Sequence, residues 1–393
     1  MTLDKLKNEF IKLYGDGGEI RFFHAPGRVN LIGEHTDYNG GFVFPAALSM
    51  GTTIALRLRD DNLVHMKATD LDDFVTIDLE KLESYKDLSW GNYQAGVMSE
   101  LKKDGFSICA CDMLYDDTLP HGGGLSSSAA IEVATALAFA TLSNEKNGIS
   151  APVDMVKMAL IGQRAENNYI GLNCGIMDQF ASAMGKRDCA ILLKCDTLKY
   201  DYSRLAMDGF SLIIANTNKK RSLATSKYNE RRSECEEAVS ILKKSLPEIT
   251  CLADVSLIDF EKYGKTIEND VVYRRAKHVI TEIDRVLASM DALKNSNMKK
   301  FGELMNASHD SLKEDYEVTG IELDTLVFEA RKIDGVLGSR MTGAGFGGCT
   351  VSLVKNENVD EFIKTVGEKY EEKIGYKASF YVSKIADGGH EIK

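Results

Sequence analysis

The feature that most constrains the fold is a strand pattern, a glycine-rich loop and an apolar helix that follow one another between residues 106 and 142. Residues 106–114 alternate apolar and polar side chains well enough to predict a strand, and residues 120–130 read Pro-His-Gly-Gly-Gly-Leu-Ser-Ser-Ser-Ala-Ala. The helix that follows is apolar on most sides, so we expect it to be buried. A glycine-rich turn before a helix aims backbone N–H groups at an anion. One serine would suffice to cap the helix, whereas three serines after three glycines favour a phosphate-binding loop.

A second glycine-rich stretch, Gly343–Gly348, contains the pattern Gly-x-Gly-x-x-Gly. A dinucleotide-binding fingerprint must open a helix after a strand, whereas here a strand pattern follows at residues 349–354. We therefore reject a nicotinamide-binding site. The flanking Arg340 and Thr342 favour a loop that closes over phosphates, and a simple turn remains the alternative.

Residues 27–41 carry an unusual density of hydrogen-bonding side chains. Between Arg28 and Asp37 the chain places a cation, two carboxylates, an imidazole and an amide around three apolar residues. Buried polar groups need partners, so this pattern is typical of a pocket that holds several hydroxyls. Asn39-Gly40-Gly41 then turns the chain. The segment alone predicts a binding site for a polyhydroxylated molecule.

Two acidic residues interrupt apolar helix faces. Glu166 lies on an apolar stripe of a helix predicted over residues 153–169, where a carboxylate either forms a buried salt bridge or binds a divalent metal. Asp178 lies between Met177 and Phe180 just after a glycine, and it either caps a helix or accepts a proton from a hydroxyl. Spacing alone leaves both alternatives open.

The length of 393 residues predicts two domains, and a change of character near residue 205 divides the chain into 1–205 and 206–393, both α+β. A net charge of −11 with mixed acids and bases argues against a nucleic-acid partner. The eight cysteines lack metal-site spacing and indicate reduced thiols. Neither a signal peptide nor a stretch long enough to cross a membrane is evident, so we expect a cytoplasmic protein.

Five segments together resemble the galactokinases, within the superfamily of galacto-, homoserine, mevalonate and phosphomevalonate (GHMP) kinases. They are residues 27–41, 120–130, 174–180, 216–232 and 340–348. The first is specific to galactokinases, and the resemblance covers nearly the whole chain. It implies a two-domain α+β fold, with an N-terminal domain like domain 2 of ribosomal protein S5 and a C-terminal ferredoxin-like domain. The active site would lie between them.

The resemblance also implies a role for individual residues. The sugar would be held by Glu34, His35, Thr36, Asp37, Asn173, Gly175, Asp178 and Tyr228. ATP phosphates would be cradled by Pro120, His121, Gly122, Gly123, Gly124, Leu125, Ser126, Ser127 and Ser128. Ser128 and Glu166 would ligate Mg²⁺. Asp178 would deprotonate the anomeric hydroxyl, with Arg28 between that hydroxyl and the γ-phosphate.

The reaction implied is the transfer of phosphate from ATP to O1 of D-galactose, giving α-D-galactose 1-phosphate, by a monomer whose only partners are these small molecules. Two alternatives stay open. One is a kinase for a related sugar such as N-acetylgalactosamine or arabinose, against which residues 36–41 favour plain galactose. The other is a galactose sensor that binds sugar and ATP without catalysis, against which the intact Arg28, Ser128, Glu166 and Asp178 argue.

Overall fold

The computed structural model describes residues 1–120, 122–205, 207–219 and 224–393. Within these ranges the helices are α1 (Leu3–Tyr14), α2 (Asn92–Lys103), α3 (Ser127–Lys146), α4 (Met155–Arg164), α5 (Met177–Met184), α6 (Ala224–Leu242), α7 (Leu257–Tyr263), α8 (Asp270–Lys294), α9 (Met298–Glu314), α10 (Gly320–Ala330) and α11 (Val359–Ile374), with a π-helix at Ala165–Ile170. The strands are β1 (Arg21–Asn30), β2 (Phe42–Val43), β3 (Pro45–Leu58), β4 (Leu63–Ala68), β5 (Phe74–Asp78), β6 (Cys111–Asp117), β7 (Cys189–Lys194), β8 (Lys199–Arg204), β9 (Phe210–Asn216), β10 (Val336–Thr342), β11 (Cys349–Lys355), β12 (Ser379–Ser383) and β13 (His390–Ile392).

The N-terminal half is built on a six-stranded sheet in the order β13-β1-β3-β6-β4-β5. Its strands pair antiparallel except for β4 and β6, which run parallel. Helices α3 and α5 pack against β1 and β3, and α2 and α4 pack onto those helices. Helix α1 covers the opposite face through Leu6 and Phe10. This layering places the glycine-rich loop, which precedes α3, directly beside β1.

The C-terminal half contains a four-stranded antiparallel sheet in the order β10-β11-β9-β12. Taken in chain order this is the arrangement 2-3-1-4, which together with the intervening helices is the predicted ferredoxin-like topology. Alternate residues of β9 face two different cores. Ile213 and Ala215 pack with α10 and α11, whereas Leu212 and Ile214 join a core shared with β1 and β3. The shared core joins the two halves.

Helix α3 confirms the buried apolar helix, although it extends four residues past the predicted end at Leu142. The strand predicted over residues 106–114 was placed too early, since β6 begins at Cys111. The preceding residues form a loop instead: the Phe106 N–H donates to the Leu101 carbonyl and the Ser107 N–H to the Ser143 hydroxyl. The helix predicted over residues 153–169 is divided into α4 and the π-helix.

The final strand returns to the N-terminal sheet. In β13, His390 lies opposite His24 of β1, and the pairing continues to Ile392 opposite Phe22. Residues 390–392, on the C-terminal side of the predicted division at 205/206, therefore complete the first sheet. Residue 206 lies outside the described residues. Among the helices that the structure describes, we find none with the length and apolar character needed to cross a bilayer.

Candidate active site

Arg28 is presented by an irregularity in β1. The pairing register with β3 shifts between Pro26 and Arg28, and such a bulge re-aims the side chain that follows. At Gly27 a Cβ atom would lie 2.5 Å from the Leu125 carbonyl oxygen, so glycine is what lets the loop before α3 approach this strand. The Arg28 N–H donates to the same oxygen at 3.1 Å. The bulge thus joins the segment 27–41 to the glycine-rich loop.

Arg28 and Asp178 form a bidentate ion pair. The guanidinium donates from Nε to Oδ1 at 2.8 Å and from Nη2 to Oδ2 at 2.6 Å, and the Ser126 hydroxyl donates to Oδ2 at 2.5 Å. Asp178 lies in the first turn of α5, where the helix favours negative charge. The Arg28 side chain is 5% exposed and that of Asp178 is 32% exposed. The carboxylate is therefore fixed in orientation and still accessible.

The glycine-rich loop reaches α3 through backbone conformations that favour glycine. Gly122 and Gly124 have φ of +66° and +72°, and Ser126 adopts the left-handed conformation at φ +62°. The Gly124 carbonyl accepts from Arg28 Nη1 at 2.8 Å. The Ser127 hydroxyl, at the start of α3, donates to Asp117 at the end of β6 and so ties together the two ends of the loop. His121, one of the predicted phosphate ligands, lies outside the described residues.

Glu34 is anchored by residues from the far end of the chain. Its Oε1 accepts from Arg340 Nη1 at 3.2 Å and from the Gly343 N–H at 2.8 Å. Arg340 is fully buried and also donates to the Asn30 carbonyl, and the Thr342 hydroxyl donates to that carbonyl too. Arg340 and Thr342 do not themselves face a phosphate, and the closing of the loop 343–348 over phosphates stays a prediction. They lie in β10 and fix the segment 30–34, because β10 packs beneath it.

His35 is held neutral and immobile. Burial lowers its pKa to about 3, with the nearby His278 as the next cause. Its backbone has φ +62°. Nε2 faces the Ala344 carbonyl at 3.2 Å, so that nitrogen carries the proton, and Nδ1 accepts from the Tyr38 hydroxyl at 2.8 Å. Both ring nitrogens are engaged within the protein.

Asp37 approaches Asp178 across the cavity. Burial raises the pKa of Asp37 to about 7, and the charge of Asp178 adds to the rise. A Cβ at Gly175 would lie 1.9 Å from Asp37 Oδ2, so glycine makes room for the carboxylate. The Tyr228 ring packs at 5.8 Å from the His35 ring. The Thr36 hydroxyl instead donates to the backbone carbonyls of its own loop, away from the cavity.

Glu166 occupies the π-helix that follows α4. Such segments are frequent at functional sites. Burial raises the pKa of Glu166, and its Oε2 accepts from Cys174 Sγ at 3.0 Å and from Gln179 Nε2 at 2.8 Å. The Ser128 side chain lies close enough to influence this carboxylate. One carboxylate beside one hydroxyl suits Mg²⁺, which takes its other ligands from phosphates and water.

These side chains surround one cavity of about 320 Å³. Nine of the residues predicted to bind sugar or metal or to act in catalysis line this cavity: Arg28, Glu34, His35, Asp37, Glu166, Asn173, Gly175, Asp178 and Tyr228. Thr36 and the described residues of the phosphate loop, Ser128 among them, are not on that wall. Six further residues line the cavity and were not predicted to do so: Gly171, Leu172, Met177, Asn229, Gly343 and Ala344. Most of these lie in or beside segments already singled out, so proximity to those motifs was the available signal.

Family models match the chain in three places. A galactokinase galactose-binding signature matches residues 8–58, a GHMP kinases N terminal domain residues 92–186, and a GHMP kinases C terminal domain residues 289–372. A galactokinase of Clostridium acetobutylicum is 50% identical over 100% of this chain and 98% of its own length. One of Bacillus subtilis is 47% identical over 99% of both. The chain belongs to the galactokinases.

Similar solved structures agree with this assignment. The crystal structure of a Lactococcus lactis galactokinase complexed with galactose matches with a TM-score of 0.94 and 42% identity, covering 100% of both chains. A mevalonate kinase matches with a TM-score of 0.66 at 18% identity over 93% of this chain and 99% of its own, which shows the shared GHMP fold. As a galactokinase, the protein is an ATP-dependent sugar kinase, and its substrates are small molecules.

Proposed function

We propose that the protein transfers the γ-phosphate of ATP to the anomeric O1 of D-galactose, giving α-D-galactose 1-phosphate and ADP. The observation that carries this proposal is the Arg28–Asp178 pair, which lies where the segment 27–41 meets the glycine-rich loop. A sugar on the cavity wall and a phosphate at the loop would meet at this pair.

Asp178 is the proposed base. Its carboxylate would accept the proton of the O1 hydroxyl as O1 attacks the γ-phosphorus and the bond to the β-phosphate oxygen breaks. Arg28 holds both carboxylate oxygens, so it fixes the direction in which Asp178 accepts. The guanidinium would also stabilise negative charge on the transferred phosphoryl group. Positioning and charge stabilisation should supply most of the rate, as in other phosphoryl transfers.

The sugar would be bound by the wall opposite the phosphate loop. Glu34 and Asp37 are acceptors for hydroxyl groups, and the Tyr228 ring and Asn173 close the wall. Because both His35 nitrogens are already engaged, we assign His35 to shaping that wall. Thr36 would contribute by tying its loop together.

The phosphates would lie against Pro120–Ser128, where the loop backbone and the start of α3 offer N–H groups to an anion. Ser128 and Glu166 would hold Mg²⁺, whose chemistry is to neutralise charge on the β- and γ-phosphates. The proximity of Ser128 to the Glu166 carboxyl supports this assignment.

A monosaccharide panel tests the reaction. Each sugar is incubated with Mg-ATP, ADP release is followed, and the phosphorylated position is identified by NMR. We expect D-galactose 1-phosphate, with N-acetylgalactosamine and arabinose much slower. Product at O6 would contradict the placement of O1 at Asp178. Galactose binding without ADP release would identify a sensor instead.

All the residues assigned to the site come from one chain, so we propose that a monomer is sufficient. We also propose that the protein works in the cytoplasm. In the described part of the chain none of the eight cysteines forms a disulfide bond, which suits a reducing compartment that supplies ATP.

A further inference from the structure

A ring of buried side chains lies behind the metal ligands. Gln179 Nε2 donates to Glu166 Oε2 at 2.8 Å and to Glu132 Oε2 at 2.9 Å, so one amide group bridges two carboxyls. Ser128 lies near Glu166 as well. Because Ser128 and Glu132 are one turn apart on α3, the four side chains lie together where three elements meet, and we refer to them as the ring.

The fold makes room for this ring. Glu132 and Gln179 are both fully buried. In α4, a Cβ on Gly162 would lie 3.0 Å from Gln179 Cγ and 3.2 Å from Glu132 Oε2. The helix therefore carries its smallest residue where it passes the bridge.

The ring is costly for stability. Among the described residues, Glu132 Oε1 and Gln179 Oε1 are buried without a hydrogen-bond partner. An unpartnered buried polar atom typically costs free energy, and apolar side chains of similar shape are often neutral or stabilising in such places. Stability alone therefore does not account for this bridge.

We propose that Gln179 and Glu132 are positioning residues for the metal site: Glu132 fixes the Gln179 amide, which holds Glu166 Oε2. With Cys174 Sγ also donating to Oε2, that oxygen is occupied by the protein. Glu166 is thereby restricted to one orientation beside Ser128. Partners behind a metal ligand commonly act in this way. The inference rests on the proposed Mg²⁺ site of Ser128 and Glu166.

The test uses Gln179→Met, which keeps the volume and removes the bridge, and Gln94→Met as a matched control. Gln94 in α2 is equally buried, and within the described chain its amide has no hydrogen-bond partner. ADP affinity is measured by calorimetry with and without saturating Mg²⁺, and the Mg²⁺ concentration for half-maximal activity is measured separately.

For Gln179→Met we expect the Mg²⁺-dependent gain in ADP affinity to fall by about 10–100-fold, with a matching rise in the Mg²⁺ requirement. Galactose affinity without nucleotide and the ADP affinity without Mg²⁺ should stay within about twofold of the parent, and Gln94→Met should behave as the parent. The double variant Glu132→Leu with Gln179→Met replaces both partners by apolar groups, so it should fold even where the single variant does not, and it should show the same metal defect.

An unchanged Mg²⁺-dependent gain in the double variant, or in a folded Gln179→Met, would overturn the positioning role. Two other results would contradict the proposed metal site itself. One is an ADP affinity of the parent protein that does not rise with Mg²⁺, and the other is a rise that persists in Glu166→Ala.

Discussion

The sugar-facing and phosphate-facing halves of the site are built differently. On the sugar side, Glu34 and His35 are buried side chains fixed by residues of the C-terminal half, Arg340 and Ala344. On the phosphate side, residues 122–128 offer a glycine-rich backbone and the start of a helix. Fixed side chains distinguish one arrangement of hydroxyls from another, whereas backbone N–H groups recognise negative charge. Sugar selectivity and nucleotide binding are therefore expected to be separable by mutation.

The largest effect on activity should come from a substitution where the sugar-facing and phosphate-facing halves of the site meet. Asp178→Asn removes the proposed base, so kcat should fall by about 10²–10⁴-fold. Galactose binding measured by calorimetry should persist, because the cavity wall is otherwise intact. A variant with kcat near that of the parent would show that Asp178 is not the base.

On the sugar side, Arg340→Met should destabilise the protein by about 3–5 kcal/mol, because it leaves the buried Glu34 carboxyl without its cation. Urea unfolding measures this, and galactose affinity should fall as well. Arg274→Met is the control: its carboxylate partners, Asp270 and Glu317, are exposed, so the loss should stay below about 1 kcal/mol. Equal losses of unfolding free energy in the two variants would argue against a sugar-facing wall that is fixed by Arg340.

On the phosphate side, two glycines allow a matched test. Gly122 and Gly148 both have φ +66° and open space where a Cβ would lie, with no atom within 4 Å, and only Gly122 lies in the phosphate loop. Substitution by alanine should strain either backbone by about 1–2 kcal/mol. The KM for ATP should rise by about 3–10-fold in Gly122→Ala alone, since a shift of the loop weakens phosphate binding. Galactose affinity should stay constant, and a similar KM change in Gly148→Ala would contradict the assignment.

The smallest effect concerns pH. Since the pKa of Asp37 is raised to about 7 in the fold, its contribution to stability is fully present below the unfolded pKa near 4 and is lost as pH rises through 7. Asp37→Asn should therefore raise the unfolding midpoint at pH 8 by about 2 °C, and the difference should vanish near pH 4. Calorimetric melting at both pH values checks this. A stabilisation that is independent of pH would assign the effect to something other than the carboxylate.

The sequence predicted the parts of the site that depend on local pattern. The glycine-rich loop before α3 follows from a motif of a few neighbouring residues. The ferredoxin-like strand order and the grouping of Arg28, Glu34 and Asp178 around one cavity came instead from the resemblance to the galactokinases. Helix α3 is the clearest case, because an apolar helix after a polar loop has few other places to lie.

Local sequence patterns do not predict which distant residues come into contact. Glu34 and Arg340 are 306 positions apart, and their pairing was not predicted because Arg340 was considered only as a neighbour of a glycine-rich stretch. The role of Glu132 could not be predicted either, because a single acidic residue in an apolar helix is equally typical of a solvent-exposed position. Its role depends on Gln179, which only the packing of α3 against α5 brings near. Local patterns identify groups that can do chemistry, and tertiary packing determines which of them meet.

The short strand β13 has a consequence for biosynthesis. It covers the edge of β1, and the two are separated by about 360 residues of chain. At common translation rates β1 emerges roughly 20–70 s before β13 exists. During that interval the edge of β1 is open to pairing with another nascent chain, which is a known route to aggregation. We therefore expect expression yield to depend on chaperones that bind the nascent N-terminal half, and on leaving residues 390–392 free of fusion partners.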